Sequence, residues 1–353
     1  MRAARRARIL GEVDLGLGRC LEIGPLSNPV VGADVADVRY VDVVDRDGLL
    51  AHYAGNPAVD PDAIPQIHFS LTRPDGTVSS LAEAVGADAP YQHVVASHVI
   101  EHVPDLIGWL RDVASVVAAD GALLLAIPDR RYCFDVRRTP TTAGQVVQAH
   151  LDGDRTPSAR AVVDHFLRAV DYPADRAWSG EAPPEAASHP VEDVMQQLAR
   201  QQDGAYVDCH VWPMSPRGFA DLVGDLLRLG LVDFSVERIT ATRVGDQEFY
   251  ATLRPLPSGD ARERAVAEAL VTLRALHDAL PDEAPAAQAA GDDALRERLA
   301  NVEDQLSRTR ERLVKVRAAR DRALRQRDDA RAAGPAAETT GLRAGVARWT
   351  RRG

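Results

Sequence analysis

The sequence predicts an α/β domain: a mostly parallel sheet closed by an antiparallel last strand, with a helical insertion and a carboxyl-terminal helical extension. Three observations carry this expectation. Apolar runs of strand length alternate with amphipathic stretches between Arg19 and Ile127, as in consecutive βαβ units. The first two runs end in Gly24 and in Asp42 to Asp45, small or acidic residues where an open sheet holds its ligand. Late in the chain, Val232 to Thr242 and Gln247 to Leu253 are joined by Val244-Gly245-Asp246. A connection that tight makes the two strands antiparallel.

Composition sets the bounds. The chain has 353 residues and is 45% hydrophobic, enough for one large domain with a real core plus extensions. A net charge of −10 gives no electrostatic support for nucleic acid, and no nucleic-acid partner is expected. Lys315 is the only lysine, so Schiff-base chemistry, a P-loop lysine and a Tyr-x-x-x-Lys pair are closed to everything before it. Cys20, Cys133 and Cys209 are isolated, with no CxxC spacing, which points to a reducing compartment. Residues 1–17 read as a basic lead-in with no long apolar run behind it. No stretch reaches the length of a membrane span, and a cytoplasmic location is expected.

The elements follow in order through a domain spanning residues 18–257. Leu21 and Ile23 alternate in a first strand that ends at Gly24, and Val38 to Asp45 is the second. Asp42 lies about 20 residues after the first glycine, where a carboxylate at the tip of strand two can grip ribose hydroxyls. Ile64 to Phe69 is a third strand, Val78 to Val85 a short helix and His93 to Ser97 a fourth, buried strand. A helix then carries Leu106, Leu110, Val113 and Val117 on one face, Asp120-Gly121 closes it, and Ala122 to Ile127 is strand five. Residues 136–208 lose the alternation. They form an insertion beside the strand ends, with helical patterns at Ala161 to Val170 and Val191 to Gln201, where a substrate-shaping lid belongs. Ser215-Pro216 opens a helix with Phe219, Leu222, Val223, Leu226 and Leu227 inward, ended by Gly230.

Residues 258–281 hold an amphipathic helix whose seam is broken at His277, so docking on the domain explains it as well as a coil does. A Pro/Ala/acid linker covers 282–293. In 294–331, Leu295, Leu299, Val302, Leu306, Leu313 and Val316 follow a heptad, so a coiled coil and a homo-oligomer are expected. The tail, 332–353, sets Leu342, Val346 and Trp349 opposite Arg343, Arg348, Arg351 and Arg352, a pattern suited to peripheral contact with an anionic membrane.

Together LEIGPLSNP on strand one, YVDVVD on strand two, VVASHVIEHVPD after strand four, LLLAIPD on strand five and the closing hairpin resemble class I S-adenosylmethionine-dependent methyltransferases. The resemblance covers about residues 15–255. It is closest to stand-alone members with an S-H-x-x-E-H-x-x-D motif, often met in bacterial surface-polysaccharide or secondary-metabolite contexts. It implies a Rossmann-like seven-stranded sheet in the order 3-2-1-4-5-7-6, with strand seven antiparallel. It implies S-adenosyl-L-methionine as cofactor, Glu22, Gly24 and the Pro25 loop at its methionine end, Asp42 on its ribose, and Ser97 and His98 beside the transferred methyl. The loop departs from the family's E-x-G-x-G-x-G form, since only Gly24 remains and Pro25 follows. His68-Phe69-Ser70 also lacks the acid expected near adenine.

Methyl transfer to a hydroxyl needs alignment and a base, and histidine suits neutral pH. His98 is the first candidate; His102 lies four residues on with Glu101 between, and a helix beginning near His98 would put both rings on one face. Glu101 and His102 also suit helix-start packing. The pair has no third ligand at a known spacing, so no metal is expected. His150, His165 and His210 lie in or beside the insertion, with Trp212 as a sugar-stacking or packing wall. Asp129, Arg130 and Arg131 face a polar substrate or form a surface loop. The expected function is O-methylation of a glycan or other hydroxylated small molecule. The alternative is a catalytically weak relative that scaffolds an envelope-glycan complex through its coil. A nicotinamide dehydrogenase shares strand one and Asp42, but the hairpin and the missing lysine oppose it.

Overall fold

The computed structural model describes residues 2–12 and 18–281. The linker, coiled coil and basic tail, with the oligomer and membrane contacts expected of them, lie outside the described residues. Seven strands make one sheet: β1 (Arg19–Ile23), β2 (Asp37–Asp42), β3 (Phe69–Ser70), β4 (Tyr91–Ser97), β5 (Val117–Pro128), β6 (Phe234–Thr240) and β7 (Glu248–Pro255). Their order is β3-β2-β1-β4-β5-β7-β6. β1 to β5 run parallel, and β7 is antiparallel to both β5 and β6. Register aligns the strand ends: Ile23 faces Val41 and Ala96, and Ser97 faces Ala126. Because β7 runs backwards, Pro128 pairs with Glu248, which brings the first residue of the last strand to the carboxyl edge.

Alternation sends the strand side chains into two cores. Leu21, Ile23, Val94, Ala96, Leu123 and Leu125 point to the larger one. It is covered by α3 (Leu81–Val85), α4 (Leu106–Val116), α5 (Ala143–Asp152), α9 (Pro216–Arg228) and α10 (Ala261–Ala279). Cys20, Tyr40, Val95, Leu124 and Tyr250 point the other way, against Ile9 of α1 (Arg2–Leu10) and Leu49 of α2 (Arg46–His52). The insertion contributes α5, α6 (Ala159–Arg168), α7 (Ala174–Trp178) and α8 (Val191–Gln202). Local chemistry sets the boundaries. Ser80 and Glu83 form a capping box on α3, Thr142 and Gln145 another on α5, and Ser215 caps α9 with Pro216 at its first position.

Four differences from the sequence expectation have physical reasons. Residues 2–10 of the basic lead-in are a helix built into the domain. Ile9 is 0% exposed, worth about 2 kcal/mol of burial, and the arginines of α1 find acids on distant elements. No helix lies between β1 and β2; residues 24–36 are turns, and α1 covers that face instead. The third strand is only Phe69–Ser70, because Ile64 and Ile67 are buried in a loop under the second core rather than in a ladder. The helix after β4 does not begin at His98. His98 has φ of 56°, Ile100–His102 is a single 3-10 turn, and Pro104 keeps Val103 extended until Asp105 caps α4. The 258–281 helix docks on α9 and β6, with Ala269 and Leu273 buried. No helix among the described residues is long and apolar enough to cross a membrane.

Candidate active site at the carboxyl edge of the sheet

Gly24, Asp42 and Ser97 end three neighbouring strands at one edge. Gly24 has φ of 66°, and its N–H donates to Val41 O at 2.9 Å. A Cβ there would sit 2.9 Å from Val99 Cγ2, so both conformation and space call for glycine. Glu22 is buried behind the loop. Its two oxygens accept from Val30 N–H and Val31 N–H at 2.7 and 2.8 Å, and it clasps the chain that follows Pro25. Burial pushes its carboxyl up to about 7 against the pull of those two hydrogen bonds. Asp42 is half-buried. Its Oδ1 accepts from Val43 N–H at 2.7 Å, and Oδ2 takes no hydrogen bond among the described residues. Burial outweighs that one bond and raises the Asp42 carboxyl to about 6. A carboxylate with one oxygen anchored and the other open, beside a left-handed glycine turn, suits the ribose of a cofactor.

A second set of groups meets at the end of β4. Ser97 Oγ accepts from Arg5 Nη2 at 2.7 Å. Arg5 also clamps Glu248, with Nε on Oε1 at 2.8 Å and Nη2 on Oε2 at 2.7 Å. Tyr250 donates its hydroxyl to Glu248 Oε1 at 2.9 Å, and His98 Nε2 lies 2.8 Å from Oε2. Burial alone would raise the Glu248 carboxyl, but His98 and Arg5 overcome it and hold it down at about 2. Glu248 is therefore an anion, held between the Arg5 guanidinium and His98 Nε2.

Beyond His98, Glu101 is 0% exposed. Its backbone carbonyl accepts from Val211 N–H at 2.6 Å and Trp212 N–H at 3.2 Å, tying the β4 turn to the end of the insertion. Its carboxylate lies 3.5 Å from His98 Nδ1 and 3.9 Å from both His102 Nε2 and His210 Nε2. The other nitrogen of His102 meets Asp208 at 2.8 Å, and that of His210 meets Asp135 at 2.5 Å. Burial works against the charged form of His102, yet the Asp208 hydrogen bond and the Glu101 charge lift its pKa overall. Burial lowers His165 to about 3, in keeping with its Nδ1 accepting from His210 N–H at 3.2 Å.

The structure thus brings Glu22, Gly24, Asp42, Ser97, His98, Glu101 and His102 to one edge, with Pro25 starting the turn closed by Asn28 N–H on Pro25 O at 3.0 Å. It removes other candidates. Trp212 is 1% exposed and donates to Val103 O at 2.6 Å, so it is core rather than a stacking wall. Asp129 and Arg131 are buried against each other at 2.7 Å, and Arg130 binds Arg138 O at 3.0 Å, so this segment is committed internally. His150 pairs with Asp105 at 3.0 Å. Arg5, Asp135, Asp208 and Glu248 escaped the sequence reading. Each acts through a partner 75 or more residues away, and no local spacing marks it. The insertion is anchored beside the edge by Trp178, stacked on Tyr132 at 3.9 Å and donating to Asp246 O at 2.7 Å.

A sheet in this order, with an antiparallel β7 and one ligand edge, is the α/β methyltransferase fold. Residues 5–201 match the family model described as a methyltransferase domain, more than half of the sequence, and the chain belongs to that family. With that membership, S-adenosyl-L-methionine is the cofactor. Among solved structures, the glycopeptide N-methyltransferase MtfA is 16% identical, with 72% of this chain and 91% of that chain covered and a TM-score of 0.35. The CcbJ methyltransferase from Streptomyces caelestis is 10% identical, with 72% and 90% covered and a TM-score of 0.36. The DhpI–SAH complex is 15% identical, with 72% and 85% covered and a TM-score of 0.34. At that level of likeness no acceptor carries across. No curated protein matches the chain.

Proposed function

We propose that the chain transfers a methyl group to an oxygen of a hydroxylated small molecule, with a glycan as the favoured acceptor class, and that His98 takes the proton. The cofactor supplies an electrophilic methyl on positively charged sulfur. The residues bind, align and deprotonate. Asp42 would hold the ribose through its open oxygen, and the loop shaped by Glu22, Gly24 and Pro25 would seat the methionine end. The observation that carries the proposal is the pair at the end of β4: anionic Glu248 holds His98 Nε2 at 2.8 Å. That contact fixes the ring orientation before any acceptor arrives. Proximity supplies the larger share of the rate, because an in-line displacement needs nucleophile, methyl and sulfur in register. The acceptor class rests on the resemblance, whose S-H-x-x-E-H-x-x-D members are often met in bacterial surface-polysaccharide or secondary-metabolite contexts.

The test is methyl transfer from isotope-labelled S-adenosylmethionine to a panel of sugars and other hydroxylated acceptors, with His98→Asn alongside. Labelled ether products are expected, and His98→Asn should lower kcat by about 10²–10⁴-fold while cofactor binding persists. Label appearing only on amines would overturn oxygen as the acceptor atom. Unchanged turnover in His98→Asn would remove His98 as the base.

A further inference from the structure

The Glu101 carboxylate sits in a chemically uncomfortable place. It is fully buried, and neither oxygen accepts a hydrogen bond among the described residues. A buried carboxylate without donors is heavily penalised unless a charge compensates it. Three imidazoles face it, His98 Nδ1 at 3.5 Å and His102 Nε2 and His210 Nε2 each at 3.9 Å, and none makes a hydrogen bond to it. Ligand atoms of Glu101, His102 and His210 all lie within 4.8 Å of one another. In a tetrahedral site with bonds of about 2.0–2.1 Å, ligand atoms sit roughly 3.3 Å apart, so a modest contraction closes the set.

The outer nitrogens are the second observation. His102 Nδ1 meets Asp208 at 2.8 Å, and His210 Nδ1 meets Asp135 at 2.5 Å, itself fixed by Arg138 at 2.8 Å. A carboxylate on the outer nitrogen places the proton there and turns the lone pair of the inner nitrogen toward the centre, as in carboxylate–histidine–metal triads. The rings stand nearly perpendicular, at 89°, so the two lone pairs approach from different directions. The backbone bonds from Val211 and Trp212 to Glu101 O hold the two chain segments in register.

We propose that Glu101, His102 and His210 bind one divalent first-row metal ion, zinc being the expected occupant, with Asp208 and Asp135 as the outer carboxylates. Two imidazoles and a carboxylate match zinc's preference, and three protein ligands leave a position open. His98, 3.5 Å from Glu101, lies next to the set. The site does not depend on which acceptor the chain methylates. Binding would expel protons from the imidazoles, which makes affinity fall at acid pH.

The test uses the full, untagged chain, stripped with chelator and titrated with Co²⁺ and then Zn²⁺. Visible ligand-field bands at about one Co²⁺ per chain, bleached by Zn²⁺, are expected. Glu101→Gln and His210→Ala should lose the bands, and Asp135→Asn should bind about 10–100-fold more weakly. Zn²⁺ should raise the thermal midpoint of the native chain and leave that of Glu101→Gln unmoved. Far-ultraviolet circular dichroism and the metal-free midpoint of Glu101→Gln, read alongside, separate lost binding from lost folding. Absence of bands in the native chain, or bands retained in both Glu101→Gln and His210→Ala, would overturn the proposal.

Discussion

Replacing Glu248 with Gln removes the charge on which α1, β4 and β7 converge. Glu248 is 4% exposed and accepts from Arg5, His98 and Tyr250. Its carboxyl falls from 4.5 to about 2, because the donors outweigh burial. A carboxyl depressed on folding adds stability that is complete above its unfolded value and drains away as pH falls through the folded one. The depression corresponds to about 3 kcal/mol at neutral pH, about 1 kcal/mol at pH 3 and almost nothing at pH 2. Glu248→Gln should therefore be about 3 kcal/mol less stable than the native chain at pH 7, and the gap should shrink to about 1 kcal/mol at pH 3. Urea denaturation of both proteins at the two pH values measures it, and groups that do not touch Glu248 cancel in the difference. Amide exchange in α1 should also quicken, since Arg5 loses its anchor. A gap of equal size at both pH values would refute the linkage. No gap at pH 7 would refute the idea that Glu248 anchors α1.

Gly24→Val should cost about 2 kcal/mol or more, through the left-handed φ and the contact with Val99, and should also weaken cofactor binding. Native stability with native binding, read by denaturation and titration calorimetry, would contradict the placement of that loop. For the extension, we expect self-association through residues 295–319, driven by the heptad of Leu and Val. Sedimentation should show a larger species for the full chain than for a chain ending at residue 281, and identical monomers would oppose it.

The sheet was legible because its signals are local. Leu21 and Ile23 alternate, Gly24 punctuates, Ser215-Pro216 opens a helix, and the hairpin at Gly245 sets the sense of the last strand. The order of the seven strands is the one the family resemblance implied. The lead-in was not legible, since a polar stretch with one buried isoleucine declares its place only when Arg5 finds Glu248, 243 residues away. The same limit hid the cluster around Glu101. His98, Glu101 and His102 are adjacent in sequence and stood out; His210, Asp135 and Asp208 reach them only because the insertion folds back onto the β4 turn. Helical spacing misjudged His98 and His102, because the left-handed His98 and Pro104 interrupt the chain where a helix was expected to start. Glu22 has a structural part that its place in the motif does not show: it ties the following loop down from behind through Val30 and Val31.

Titration calorimetry of the purified chain with S-adenosyl-L-methionine, repeated with Asp42→Ala, tests the cofactor edge most directly. Asp42 offers an open carboxylate oxygen at the tip of β2, and a hydrogen bond to a charged group is worth about 1.5–3 kcal/mol. Saturable binding to the native chain is predicted, with Asp42→Ala about 10–100-fold weaker. No binding by the native chain, or equal binding by the variant, would contradict the placement of the cofactor at this edge.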